Sequence, residues 1–129
     1  MRVVLDTTVL IDYLRGRSVV DRVAMLRRRG DVALTTAINV EEVVRGLRPG
    51  EEAAADTLFD GLPIVSLGRS EGRRAGEWRR GFARRGVTLS QADCLIAAAA
   101  VTVSGVLATG NPAHFPMTEV TFEHWPVGQ

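Results

Sequence analysis

With 129 residues, 46% of them hydrophobic and 24% charged, the chain has the composition of a single globular domain, residues 1–129, long enough for one packed core. A net charge of +1 leaves no overall basic footprint, and the one cysteine, Cys94, excludes an internal disulfide and has no second thiol with which to share a zinc. The longest apolar stretch, Cys94 to Val103, is too short to cross a bilayer and the N-terminus lacks a signal-peptide pattern, so a cytoplasmic protein without membrane association is expected.

Residues Arg2 to Asp6 read as a short buried strand, and Thr7 to Arg15 as a helix with Val9, Leu10, Tyr13 and Leu14 on one face. Gly16 ends it. Ser18 stands where it would cap a second helix, which carries Val19, Val20, Val23 and Leu26 and closes on Arg27, Arg28, Arg29 and Gly30, cations at the negative end of the helix dipole. A strand at Val32 to Thr35 leads into a helix from about Ile38 to Leu47; Pro49 and Gly50 separate this from an acidic helix, Glu51 to Phe59. Pro63 to Leu67 reads as a strand, Ser70 to Arg85 as a long basic helix, Gln91 to Val103 as a helix of low side-chain bulk, and Gly105 to Thr109 as the fourth strand. Asn111 to Phe115 turns around Pro112, and Val120 to Phe122 is a short last strand. Strands alternating with helices predict an α/β sandwich around a mostly parallel sheet of four to five strands, with any site beyond the carboxyl ends of those strands.

Three acids far apart in the chain fall where such a fold brings them to one edge: Asp6 after the first strand, Glu42 in the segment Glu42 to Gly46, and Asp93 beside the alanine-rich helix. Gathered carboxylates repel unless a cation screens them or one takes up a proton. A hard ion, Mg²⁺ or Mn²⁺, suits oxygen ligands, takes one or two carboxylates directly and leaves room for water and phosphate. Such an ion activates water and screens charge on a phosphodiester, so phosphodiester hydrolysis is the chemistry expected. Each acid also has a plainer reading. Asp6 can be a helix cap and Glu42 a solvated helix residue like Glu41, whereas Asp93, next to Cys94, Leu95 and Ile96, is harder to place without a partner.

The segments Val3 to Ile11, Glu42 to Gly46, Ala92 to Ala98 and Leu107 to Phe115 together resemble the PIN-domain ribonucleases, in particular the VapC toxins of type II toxin–antitoxin systems, in the right order and nearly end to end. The resemblance implies a PIN-like fold and a Mg²⁺- or Mn²⁺-dependent endoribonuclease acting on cellular RNA, whether tRNA, rRNA or mRNA. By motif position it makes Asp6 and Asp93 the principal metal ligands and Glu42 the third acid. Thr7 and Thr109 would orient carboxylates or waters, or simply cap strand ends. Many relatives carry an aspartate between Thr109 and Phe115; here Asn111 and His114 stand there, which implies weaker binding of a second ion. The resemblance further implies a homodimer inhibited by a VapB-type antitoxin, in a heterotetramer or larger assembly. An apolar groove walled by Val9, Leu10, Tyr13, Val44 and Leu47 is expected to seat the antitoxin segment.

Seven arginines lie between Arg69 and Arg85, and Arg73, Arg80 and Arg84 are candidate RNA contacts on the long helix, against the simpler reading of a solvated face. Ala75, Trp78 and Phe82 have core spacing on another side of it. Glu51, Glu52, Asp56 and Asp60 would repel RNA from the acidic helix. His114 can serve as a general acid or base, but is read first as an ordinary surface histidine. Two rival functions remain: an aspartyl-phosphate phosphatase, disfavoured because Thr8 stands where a second aspartate is needed and the chain has no lysine, and a catalytically impaired PIN-fold RNA-binding protein.

Overall fold

The computed structural model describes residues 1–129. In chain order the elements are β1 (Arg2–Leu5), α1 (Thr7–Leu14), α2 (Val19–Arg28), β2 (Val32–Thr36), α3 (Ala37–Arg45), α4 (Glu52–Asp60), β3 (Ile64–Val65), α5 (Arg69–Ala83), α6 (Gln91–Thr102), β4 (Val106–Thr109), a 3-10 turn at Pro112–His114, and β5 (Thr121–His124). The five strands form one sheet in the order β3-β2-β1-β4-β5, parallel throughout. Buried on both faces, the central strands β1 and β4 are apolar at nearly every position, as a covered parallel sheet requires.

Side-chain alternation sends the strands into two cores. Val4, Leu34 and Leu107 face α5 and α6, where Trp78, Ile96 and Phe115 complete one cluster. Val3, Leu5, Ala33 and Ala108 face the other way, toward Val9 and Leu10 of α1, Val19, Val23 and Leu26 of α2, and Leu58 of α4. Each of these large side chains contributes roughly 1.5–3 kcal/mol on burial. Close packing also sets residue size at the sheet: a Cβ on Gly105 would stand 2.5 Å from the Arg2 carbonyl oxygen, so the start of β4 can approach β1 only as glycine.

Two expectations change. The third strand shrinks from Pro63–Leu67 to Ile64–Val65, because it is the edge strand and Pro63 has no N–H to donate; its carbonyl still accepts from Thr35 N at 3.0 Å. Ser18 makes no side-chain cap to α2; its backbone N–H instead donates to the Gln129 carbonyl at 3.0 Å.

The long helix α5 is anchored at its start by a buried acid. Glu71 Oε1 accepts from Gly68 N at 2.7 Å, and Oε2 accepts from the Thr102 hydroxyl at 2.6 Å, tying α5 to the end of α6. The Thr102 hydroxyl, first, and the Gly68 amide hold its carboxyl below the usual glutamate range. The stability this contributes is complete above the ordinary glutamate range and is lost as pH falls through the depressed pKa of the folded chain. Glu71→Ala is therefore expected to destabilise the protein by about 2 kcal/mol at neutral pH. Denaturant melts at neutral and acidic pH check this: the difference between variant and parent must shrink on acidification.

Candidate functional site

The carboxyl ends of β1 and β4 are neighbours, and the chain moves outward from them in opposite directions, to β2 and β3 on one side and β5 on the other. Diverging connections leave a crevice at such a switch point. Asp6 follows β1 directly and is buried. Its backbone N–H donates to the Ala108 carbonyl at 2.9 Å, which places the side chain beside the end of β4. The residue caps α1, Oδ1 accepting from Thr7 N at 2.8 Å, while Oδ2 accepts from the Thr109 hydroxyl at 2.7 Å. Capping and site membership are thus compatible in one side chain.

Glu42 lies on the sixth residue of α3, half-buried, while its neighbour Glu41 is exposed. The Thr7 hydroxyl donates to Glu42 Oε1 at 2.6 Å, so the first acid's neighbour holds the second acid. Thr7 is in turn fixed by Asn39, whose Nδ2 donates to the Thr7 oxygen at 3.0 Å while its Oδ1 accepts from the Thr36 hydroxyl at 2.7 Å. Asn39 is fully buried. Nothing in the local sequence points to this role: Thr36-Ala37-Ile38-Asn39 lacks the Glu or Gln of the usual capping box, yet Thr36 and Asn39 cap α3 reciprocally in the folded chain.

Asp93 sits in the first turn of α6, where its backbone N–H donates to the Ser90 hydroxyl at 3.0 Å; its carboxylate is left half-buried, with His114 Nδ1 3.5 Å away. Asn111 follows β4, its N–H donating to the Thr109 hydroxyl at 3.0 Å and its side chain making no cap. Thr109 is therefore a hub that binds Asp6 and holds the loop carrying Asn111.

Burial raises the Asp6 pKa, the Thr109 hydroxyl and Thr7 amide oppose this, and the charges of Asp93 and Glu42 push it further up. The net shift is upward, with burial the largest cause and the charges of Asp93 and Glu42 both reaching Asp6. This is uncompensated negative charge among oxygen donors, which fits a hard divalent cation. No three acidic, histidine or cysteine side chains close into a cage by themselves. An ion here would take one or two carboxylates and complete its shell from water or phosphate, as Mg²⁺ commonly does.

Other expected residues lie elsewhere. Arg73 and Arg80 are exposed on α5 and Arg84 is exposed just past its end, and Arg73 is paired with Glu77 at 2.9 Å; no hydrogen bond or ion pair links them to the acids. Ala75 and Trp78 are core residues and Phe82 packs against that core. Cys94 is buried and free, its thiol pKa raised first by that burial. Of the expected groove walls, Val9 and Leu10 are corrected, being fully buried against the sheet, whereas Tyr13 does line a groove; Val44 is exposed and Leu47 half-buried. That groove, ≈ 390 Å³, lies between α1, α2 and α4, lined by Tyr13, Leu14, Arg27, Ala54, Thr57 and Leu58.

Residues 3–117 match the PIN domain family, and the chain belongs to that family. It is 33% identical over 118 residues to ribonuclease VapC19 of Mycobacterium tuberculosis, covering 88% of this chain and 91% of the relative. Ribonuclease VapC10 of the same organism is 31% identical over 118 residues, covering 91% and 88%. The fold superposes on a chain of VapBC2 from Rickettsia felis, bound to a DNA fragment from their promoter, with a TM-score of 0.85 at 20% identity, covering 97% of this chain and 99% of that one. DNA-bound VapBC from Salmonella typhimurium gives 0.83 at 20% identity, covering 97% and 98%. No helix is long and apolar enough to cross a membrane.

Proposed function

We propose that the chain is the toxin of a type II toxin–antitoxin pair, a Mg²⁺- or Mn²⁺-dependent endoribonuclease that hydrolyses phosphodiester bonds of cellular RNA in the cytoplasm. The observation that carries this is the buried Asp6 at the β1–β4 crevice, its pKa raised by burial and by the charges of Asp93 and Glu42. Family membership and the ribonuclease names of the VapC relatives support the same reaction class. Asp6 and Asp93 would hold the ion, with Glu42 as third acid. When bound, the ion supplies charge screening and water activation at neutral pH.

The chain's own residues do the positioning. Thr109 and the Thr7 amide orient the Asp6 carboxylate, and the Thr7 hydroxyl, braced by Asn39, orients Glu42. Pre-set donors of this kind remove the need to reorganise during reaction. RNA would approach along α5 and its C-terminal end, where Arg73, Arg80 and Arg84 face solvent, and away from the acidic α4. The groove between α1, α2 and α4 offers an apolar seat for a segment of a VapB-type antitoxin. A second copy of the chain would complete a homodimer, and the antitoxin a heterotetramer or larger.

Cleavage of total cellular RNA by the purified chain in Mg²⁺, Mn²⁺ or EDTA, with new 5′ ends mapped by sequencing, tests the reaction. Metal-dependent cuts at a few sites support it; RNA bound but uncut in every metal would favour the catalytically impaired RNA-binding protein. At the fourth position, Asn111→Asp is expected to tighten Mn²⁺ binding about tenfold, because ligand charge tunes the affinity of oxygen sites. Calorimetric titration checks it, and weaker binding would assign Asn111 to the turn alone.

A further inference from the structure

Beyond β5 the chain crosses back over the site loop. Trp125 N donates to the Thr109 carbonyl at 2.8 Å, and its ring is buried in the α1–α2 core with the Arg22 guanidinium 4.5 Å from its centroid. Val127 then lies on Gly110: a Cβ there would stand 2.7 and 3.1 Å from the two Val127 methyls and 3.2 Å from the Thr8 hydroxyl. Gly128, at φ +84°, donates its N–H to Asp12 Oδ2 at 2.7 Å, and the Gln129 carbonyl accepts from Ser18 N. Asp12 is a buried carboxylate with no other role in the site, and Arg17 lies 3.6 Å from its other oxygen.

Residues 125–129 thus strap the loop after β4 down onto α1 and the α1–α2 turn. The strapped residue, Gly110, sits between Thr109, whose hydroxyl binds Asp6, and Asn111 at the fourth position. Gly110 N also donates to the Thr8 hydroxyl at 3.2 Å, so the loop is clamped from both sides. We propose that Val127 is a positioning residue: seated on Gly110 and held at its far end by Asp12, it fixes the Thr109 hydroxyl and Asn111 relative to Asp6, and so sets metal affinity in the nuclease proposed above, on which this inference rests. Neither residue touches substrate; each acts through the loop.

Val127→Ala shortens the wedge without opening the core, and Asp12→Ala releases the strap from the other end. Each is expected to speed hydrogen exchange at the Gly110 and Asn111 amides about tenfold by local opening. Each should also weaken Mn²⁺ binding about tenfold, the lower range for loss of a group that orients metal ligands. RNA cleavage should fall in step at low Mn²⁺ and recover at saturating Mn²⁺, and Asp12→Asn, which keeps an acceptor for Gly128 N, should restore exchange and affinity alike. Faster exchange with unchanged Mn²⁺ affinity would reduce the strap to a structural tie and overturn the proposal, as would exchange that does not change. If the parent chain neither bound Mn²⁺ nor cut RNA, the nuclease assignment would fall, while amide exchange would still decide whether Val127 and Asp12 hold the loop.

Discussion

Asp6→Asn is expected to lower RNA cleavage by at least about a thousandfold, since a metal-bound carboxylate underlies several kcal/mol of transition-state stabilisation. The fold should survive, because asparagine keeps an oxygen to accept from Thr7 N and an amide to face the Thr109 hydroxyl. Stability should change with pH in a defined sense. Burial, and then the neighbouring acids, raise the Asp6 pKa, so the folded state holds a proton that the unfolded state has released. Stability is therefore lost as pH rises from the ordinary aspartate range through the raised folded pKa, and Asp6 is a net cost at neutral pH in the absence of metal. The Asn variant, which cannot titrate, should melt above the parent at neutral pH, with the gap closing on acidification. Added Mn²⁺ should raise the Tm of the parent more than that of the variant. Retained cleavage, or a Tm difference indifferent to pH, would remove Asp6 from the proposed role.

Asp93→Asn should be as damaging to cleavage, again by about a thousandfold or more on the same transition-state grounds, yet nearly silent in stability. Its backbone amide, not its carboxylate, is what the Ser90 hydroxyl caps, and α6 is held by the buried run from Cys94 to Ala100, apart from half-buried Leu95. The side chain's one close polar neighbour is His114 at 3.5 Å. A wild-type melting curve combined with lost cleavage and weakened Mn²⁺ binding is the expected signature. Full activity with Asn at position 93 would return Asp93 to the helix N-terminus as a mere dipole partner.

The elements were legible because their signals are local. Strand β1 and helix α1 follow from Val3, Val4 and Leu5 and from the spacing of Val9, Leu10, Tyr13 and Leu14, and the order of strands and helices follows from the turn residues between them. Depth was not legible. Periodicity assigns Val9, Leu10 and Tyr13 to one face of α1 but not which of them meet the sheet and which line a groove; the sheet takes Val9 and Leu10, and Tyr13 is left at the opening. The length of β3 likewise depends on its place at the edge, which no local pattern encodes.

Local pattern is enough for the alternation of strands and helices and for the acids and hydroxyls in compact motifs, Asp6 with Thr7 and Asp93 after Ser90, because neighbours in the chain are neighbours in space. What those groups touch is set by the folded chain. Thr7 meets Glu42 across 35 positions, Asp6 meets Thr109 across 103, and Gly128 meets Asp12 across 116. Such contacts exist because a parallel sheet returns distant strand ends to one edge, and a pattern read along the chain carries no distance across that edge.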